Sequence, residues 1–286
     1  KLAQGLAKQE THIMALLLPG ISQGNYSAII ENIETVAEKA GYQIILCNLN
    51  DNEDKERSYF ELMERNIVDG AIIVGGNLAD KNLLNIALNK EFPLVVVNRL
   101  LEELLIPTIL TDISRGGFLA TSHLIKQGLE KIAIIMGSRN DFLESEKLNG
   151  YSRALKENNL PLEENYIIET AGKRKDGYEA FLDLMELNDP PSGFFVTEDV
   201  LAAGLVESVK MGGYLIPHDF SVISYGDTLI SSIVNPSLTV ISDPLRKLGK
   251  YAVNNLIKLI QGEEISEIIK VLEPKIEIRE STLGSP

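Results

Sequence analysis

The chain has 286 residues, 44% of them hydrophobic and 24% charged, an ordinary globular composition long enough for two domains. Its net charge of −14 opposes binding of a phosphate backbone by these residues as a whole, so contacts to DNA would fall to another segment. No apolar run approaches the roughly 20 residues of a membrane helix, and three scattered His with one Cys have no metal-ligand spacing.

The start, Lys1-Leu-Ala-Gln-Gly-Leu-Ala-Lys8, has no apolar signal-peptide core and no initiator Met. A fragment is expected, and a removed signal peptide stays open. Cys47 lies in the apolar run Ile44–Asn48, where a buried reduced thiol is expected and a reducing compartment fits.

Residues 1–10 have Leu2 and Leu6 at helical spacing but are too short to hold a helix alone. Ile13–Leu18, closed by Pro19-Gly20, reads as a strand buried on both faces. Tyr26, Ile29, Ile30, Ile33, Val36, Ala37 and Ala40 then share a helix face, and Gly41 stops it. Strands at Ile44–Cys47, Gly70–Val74 and Leu94–Val97 alternate with helices at Asp54–Arg65 and Leu83–Leu88. This βα alternation dictates a parallel sheet with right-handed crossovers.

The stretch Pro107–Gly117 ends one array and opens the next: Thr108–Thr111 is β-prone, and Asp112 and Ser114 are N-cap residues. A helix from Ser114 to Gln127 follows, stopped by Gly128, then strands at Ile132–Met136, Tyr166–Glu169, Phe194–Val196, Ser221–Ser224 and Thr239–Ile241. The intervening helices are Glu144–Glu157, Tyr178–Glu186 and Leu201–Lys210. Asp243-Pro244 reads as an N-cap with Pro at N1, opening a helix that buries Leu245, Leu248, Ala252, Leu256, Leu259 and Ile260 and ends at Gly262. Ile268–Leu272 and Ile276–Ile278 are terminal β runs.

Taken in order, several stretches resemble the effector-binding region of the lactose-repressor/galactose-repressor family of bacterial transcription regulators. They are Leu17–Ser22, Ala40–Asn48, Asn66–Ile73, Pro93–Arg99, His123–Gly128, Lys147–Leu155, Glu198–Gly204, Ile216–Ile223, Pro236–Val240 and Ile278–Thr282. The resemblance covers nearly the whole chain, and its specificity lies in the order and spacing of the pieces. It implies an α/β fold of two αβα, Rossmann-like lobes with parallel sheets, periplasmic binding protein-like of type I, with three crossovers between lobes. They are expected near Asp112–Ile113, Ile241–Asp243 and Leu272–Lys275. The implied parts are a hinge-helix remnant at 1–10, an N-terminal lobe of 11–111 plus 244–272, and a C-terminal lobe of 113–241 plus 273–286. Ala3–Ala7 resembles the end of a DNA-contacting hinge, with Leu6 at its wedge position, and the helix-turn-helix head is absent. The implied partners are a small polar effector such as a sugar, operator DNA through that head, and a second copy in a cytoplasmic homodimer.

The resemblance also implies a ligand wall of Gln23, Tyr26, Asn98, Arg99, Lys147, Glu198 and Ser242 in a cleft between the lobes. Gln23 replaces a family Asn, and Tyr26 keeps an aromatic plane for stacking, though it also fits as the first core residue of its helix. Asn98-Arg99 stands where relatives have Asp-Arg; Arg99 offers a fork of donors, against a salt bridge on the lobe rim. Lys147 takes the place of a ligand-binding Arg, against an idle exposed Lys. Glu198 puts a carboxylate where relatives have an amide, Gly226 stands where they have Asp, and Ser242 is matched to a Gln. So many departures put a common pentose or hexose in doubt and favour a differently oriented polyol or a partly cationic effector.

Catalysis finds no support: there is no Ser/His/Asp set and no phosphate loop, and Glu102-Glu103 and Glu263-Glu264 read as solvated charge. No cofactor or metal is expected. The competing readings are a solute-binding protein for sugar transport, an enzyme on a similar fold, and a regulator whose effector is a protein.

Overall fold

The computed structural model describes residues 10–20, 26–50, 52–75, 92–99 and 105–283. The stretch expected as a hinge remnant therefore lies, but for Glu10, outside the described residues, as do Leu83–Leu88 and Gln23. The chain divides into two compact units, Lys1–Thr111 with Leu245–Leu272 and Asp112–Pro244 with Glu273–Pro286, so it passes between them three times.

In the first unit, strands β1 (Ile13–Leu18), β2 (Gln43–Asn48), β3 (Gly70–Val74), β4 (Leu94–Val97), β5 (Thr108–Thr111) and β11 (Ile269–Leu272) form one sheet. Its order is β11-β5-β4-β3-β1-β2, and every pairing is parallel. Successive side chains of a strand point to opposite faces, so the apolar runs feed two cores. Met14, Leu16, Leu18, Ile72 and Val95 pack under helices α1 (Tyr26–Lys39) and α8 (Leu245–Ile260). Ala15, Leu17, Cys47, Ile73 and Val96 pack on the other face with Phe60 and Met63 of α2 (Glu53–Glu64). Helix α1 buries Ile29, Ile33 and Ala37, one face at four-residue spacing. Cys47 is buried, and burial pushes its thiol up to about 12, far from reactive thiolate chemistry.

The second unit repeats the plan with β6 (Ile132–Met136), β7 (Ile167–Glu169), β8 (Gly193–Val196), β9 (Ser221–Tyr225), β10 (Thr239–Ser242) and β12 (Lys275–Glu277), in the order β12-β10-β9-β8-β6-β7. Five strands are parallel; β12 alone runs antiparallel, at the edge. Helices α3 (Ile113–Lys126) and α4 (Phe142–Glu157) cover the face carrying Ile134, Phe195 and Ile223. Helices α5 (Arg174–Met185) and α6 (Asp199–Met211) cover the face carrying Phe194, Val196 and Val222. Asp112 caps α3 by accepting from the Arg115 N–H at 2.8 Å.

A short helix, α7 (Leu229–Ile233), and a 3-10 turn at Glu164–Tyr166 add to the expected elements. The N-cap reading of Asp243 is corrected: α8 opens at Leu245, and the Asp243 carboxylate accepts from the Tyr225 hydroxyl at 2.6 Å.

Candidate functional site

In an open α/β sheet, ligands gather outside the carboxyl ends of the strands. In the second unit four adjacent strands deliver polar groups there in spatial order: Asp243 after β10, Tyr225 at the end of β9, Thr197-Glu198 after β8 and Gly137 after β6. Lys147, from the second turn of α4, stands among them. Its ammonium donates to Glu144 Oε1 at 2.5 Å and to the Thr197 carbonyl at 3.1 Å, and lies 4.8 Å from the centre of the Tyr225 ring. Glu144 Oε2 accepts from the Gly137 N–H at 2.8 Å and from the Thr197 hydroxyl at 2.6 Å. Glu144 and Lys147 are only 6% and 8% exposed, so both charges are out of water and every bond between them counts.

Burial pulls the Lys147 ammonium down, but Glu144 outweighs it and holds the group above its ordinary value. Burial likewise pushes Glu144 up, and Lys147, with the bonds from Thr197 and Gly137, takes it below the usual carboxylate range. The other two carboxylates respond differently. Burial raises Glu198, with Lys147 only partly offsetting. Burial lifts Asp243 to about 6 against the Tyr225 bond and the pull of Lys147. Two of the cluster's three carboxylates are thus held where charge is disfavoured.

The structure places the sequence candidates unevenly. Lys147 and Glu198 come together. Ser242 ends β10, paired with Lys275 of β12, and the next residue, Asp243, is bonded to Tyr225 beside Lys147. At Gly226 φ is +103°, a backbone open to glycine and costly for any residue with a side chain. The next residue, Asp227, ion-pairs with Arg279.

In the first unit, Asn98 and Arg99 follow β4. Asn98 adopts φ +50°, and its side-chain carbonyl accepts from the Thr111 N–H at 2.7 Å, tying the end of β4 to the end of β5. Arg99 is half-buried. Tyr26 packs against the core of α1 and α8 while its hydroxyl lies over Gly75, where a Cβ would meet it at 2.6 Å. Among the described residues no group of His, Cys, Asp and Glu could hold a metal, and no helix is long and apolar enough to cross a membrane.

The family model for the periplasmic binding protein-like domain matches residues 121–282. Catabolite control protein A of Priestia megaterium is 31% identical over 281 residues, 98% of this chain and 84% of that protein. The chain belongs to the lactose-repressor/galactose-repressor family. The crystal structure of the transcription regulator CcpA of Lactococcus lactis superposes with a TM-score of 0.82 at 30% identity, covering 95% of this chain and 99% of that one. A periplasmic binding protein/LacI transcriptional regulator from Alkaliphilus metalliredigens, solved with D-xylulofuranose, gives a TM-score of 0.80 at 26% identity, covering 96% and 100%. The fold expected from the resemblance is the fold found: two α/β units of mostly parallel strands.

The sequence reading did not single out Glu144, Thr197, Tyr225 or Asp243, which the structure gathers around Lys147. The three-residue spacing of Glu144 and Lys147 on one helix face was the available signal for the first. Asp243 was visible but absorbed by the stronger local signal of an Asp-Pro helix start.

Proposed function

We propose that this chain is the effector-sensing and dimerisation region of a cytoplasmic DNA-binding transcription regulator, and not an enzyme. It binds a small hydroxyl-bearing molecule and couples that binding to operator affinity. One observation carries the reading: the chain aligns over 98% of its length with a catabolite control protein, and at the carboxyl ends of β6, β8, β9 and β10 it assembles a buried polar cluster without a catalytic set. Tyr26, Arg99 and Glu198 are assigned as ligand contacts, with Tyr225 and Asp243 added and Lys147 holding the wall in place. Coupling requires only that the ligand prefer one conformation, the one that alters operator affinity. Regulator relatives favour this reading over a transport solute-binding protein.

The test is a thermal-shift and calorimetric screen of sugars, polyols, nucleosides and amino acids, followed by operator titration of the regulator carrying its DNA-binding head. A stabilising molecule should lose at least about ten-fold in affinity in Glu198→Gln and in Arg99→Ala, each judged against its own ligand-free melting temperature, and should shift operator affinity. Sedimentation should give twice the 31.5 kDa chain mass. A monomer whose ligand leaves operator binding untouched would overturn the proposal.

A further inference from the structure

Resting on that effector-site reading, we propose that the cluster on the second unit recognises a protonated amine carried on a hydroxyl-bearing molecule, an amino sugar or aminated polyol, and rejects phosphorylated and acidic sugars. The argument is one of spent and unspent groups. Lys147 has three ammonium protons. Glu144 and the Thr197 carbonyl take two, and the third side of the ammonium faces the Tyr225 ring. At 8% exposure it has no donor left to offer. Glu144 is equally closed, with Lys147 on one oxygen and Gly137 and Thr197 on the other. The pair cancels its own charge.

What remains is anionic. Glu198 occupies the N-cap position of α6 without spending its side chain on the cap, and it makes no side-chain hydrogen bond or ion pair within the described residues. Among the described residues Asp243 accepts a single side-chain hydrogen bond, from Tyr225, through Oδ1. Both border Lys147: Glu198 follows Thr197, whose carbonyl the ammonium binds, and Asp243 is bonded to Tyr225, whose ring the ammonium faces. A phosphate or carboxylate brought here would meet two carboxylates and a cation already engaged. An ammonium would give each carboxylate the counter-charge that burial denies it.

The experiment is a thermal-shift and calorimetric panel of matched triplets on the dimeric chain. Each hexose, pentose and linear polyol is offered as its neutral, amino-deoxy and phosphate or acid form; D-glucose, D-glucosamine and D-glucose 6-phosphate are one triplet. The aminated member should bind at least about ten-fold more tightly than its neutral counterpart in the responding triplets. Glu198→Gln and Asp243→Asn, both isosteric, should each remove most of that advantage, so that the aminated and neutral members then bind within about three-fold of each other. A neutral or anionic member that binds best, or an amine preference that survives both substitutions, overturns the ligand class. If that best binder is still lost in Tyr225→Phe or Arg99→Ala, the effector site itself stands. If no triplet binds, the ligand class and the effector site both fall.

Discussion

Gly117 of α3 lies against the main-chain carbonyl of Lys147 on α4: a Cβ at Gly117 would meet that oxygen at 2.3 Å. The contact is reciprocal, since a Cβ at Gly150 would meet the Ser114 carbonyl at 2.0 Å and the Phe118 nitrogen at 2.6 Å. Two helices therefore touch backbone to backbone, and the approach fixes the height at which the Lys147 side chain enters the cluster. The neighbouring α5–α6 pair repeats the device, with Gly177 against the Leu201 carbonyl and Gly204 against that of Arg174. Backbone cannot yield as a side-chain tip can. Gly150→Ala should therefore cost about 1–3 kcal/mol by overpacking and displace Lys147. Chemical denaturation should show the loss. Effector affinity should fall more in Gly150→Ala than in Gly177→Ala, which strains the other helix pair; equal effects would count against the positioning role.

The Glu144–Lys147 pair makes a second prediction. Glu144→Gln strips a buried ammonium of its charge partner and should destabilise by about 3–5 kcal/mol. Lys147→Met leaves Glu144 with two donors, Gly137 and Thr197, and should cost less. The double variant should recover part of the loss, and a double-mutant cycle on urea midpoints measures how much. In acid the sign follows from the lowered folded-state value of Glu144: its contribution is present above the ordinary Glu range and is lost as pH falls through that lowered value. Additive single losses would show that the two charges do not depend on each other.

How far the sequence could be read depended on whether the signal was local. Thr108–Thr111 is a strand at the bounds expected from its β-prone run, and the two-array alternation forecast both sheets because each hydrophobic run is long and periodic. The five-residue α7 was missed because Leu-Ile-Ser-Ser-Ile is too short to show a helical period. Antiparallel β12 carries no mark of its direction, which follows from the path by which the chain returns to the second sheet. The site was harder still. Asp243 is drawn into the cluster by a contact with Tyr225, 18 residues away in sequence. The masking of one charge by another, as in Glu144 and Lys147, exists only once both are buried.

The Ile278–Thr282 stretch, which resembles a family ending, has a physical role in this chain. Ser281 is fully buried; its hydroxyl donates to the Val222 carbonyl at 2.6 Å and accepts from the Thr239 N–H at 2.8 Å, stitching the starts of β9 and β10. Thr282 bonds Thr239 at 2.8 Å and His123 at 2.9 Å, while Arg279 reaches Ser231 and Asp227. Ser281→Ala orphans a buried N–H and a buried carbonyl, which should cost about 1–3 kcal/mol. The expected readout is a lower melting temperature with unchanged affinity for the effector, because this latch lies at the opposite ends of the strands from the cluster. A substitution that left stability unaltered would show that the ending is not a latch.

Asp243 should make the chain less stable where it works best. Its folded-state value is raised by burial to about 6, above the ordinary Asp value. A carboxyl raised in the folded state contributes stability that is complete below its unfolded value, near pH 4, and is lost as pH rises through about 6. The difference between those two values corresponds to about 3 kcal/mol. His123 acts in the opposite sense, since burial lowers it, and its contribution is lost on acidification. Glu144 shares the sense of His123, and Glu198 and Asp199, raised by burial, share that of Asp243, so the whole-protein profile mixes them, and the difference between wild type and Asp243→Asn isolates one. Asn keeps an acceptor for the Tyr225 hydroxyl and carries no charge. It should raise ligand-free stability at pH 7.5 by up to about 3 kcal/mol and leave it nearly unchanged at pH 4. Urea midpoints at the two pH values decide the point: a gain that does not depend on pH would mean that the ionised carboxylate is not what destabilises this site.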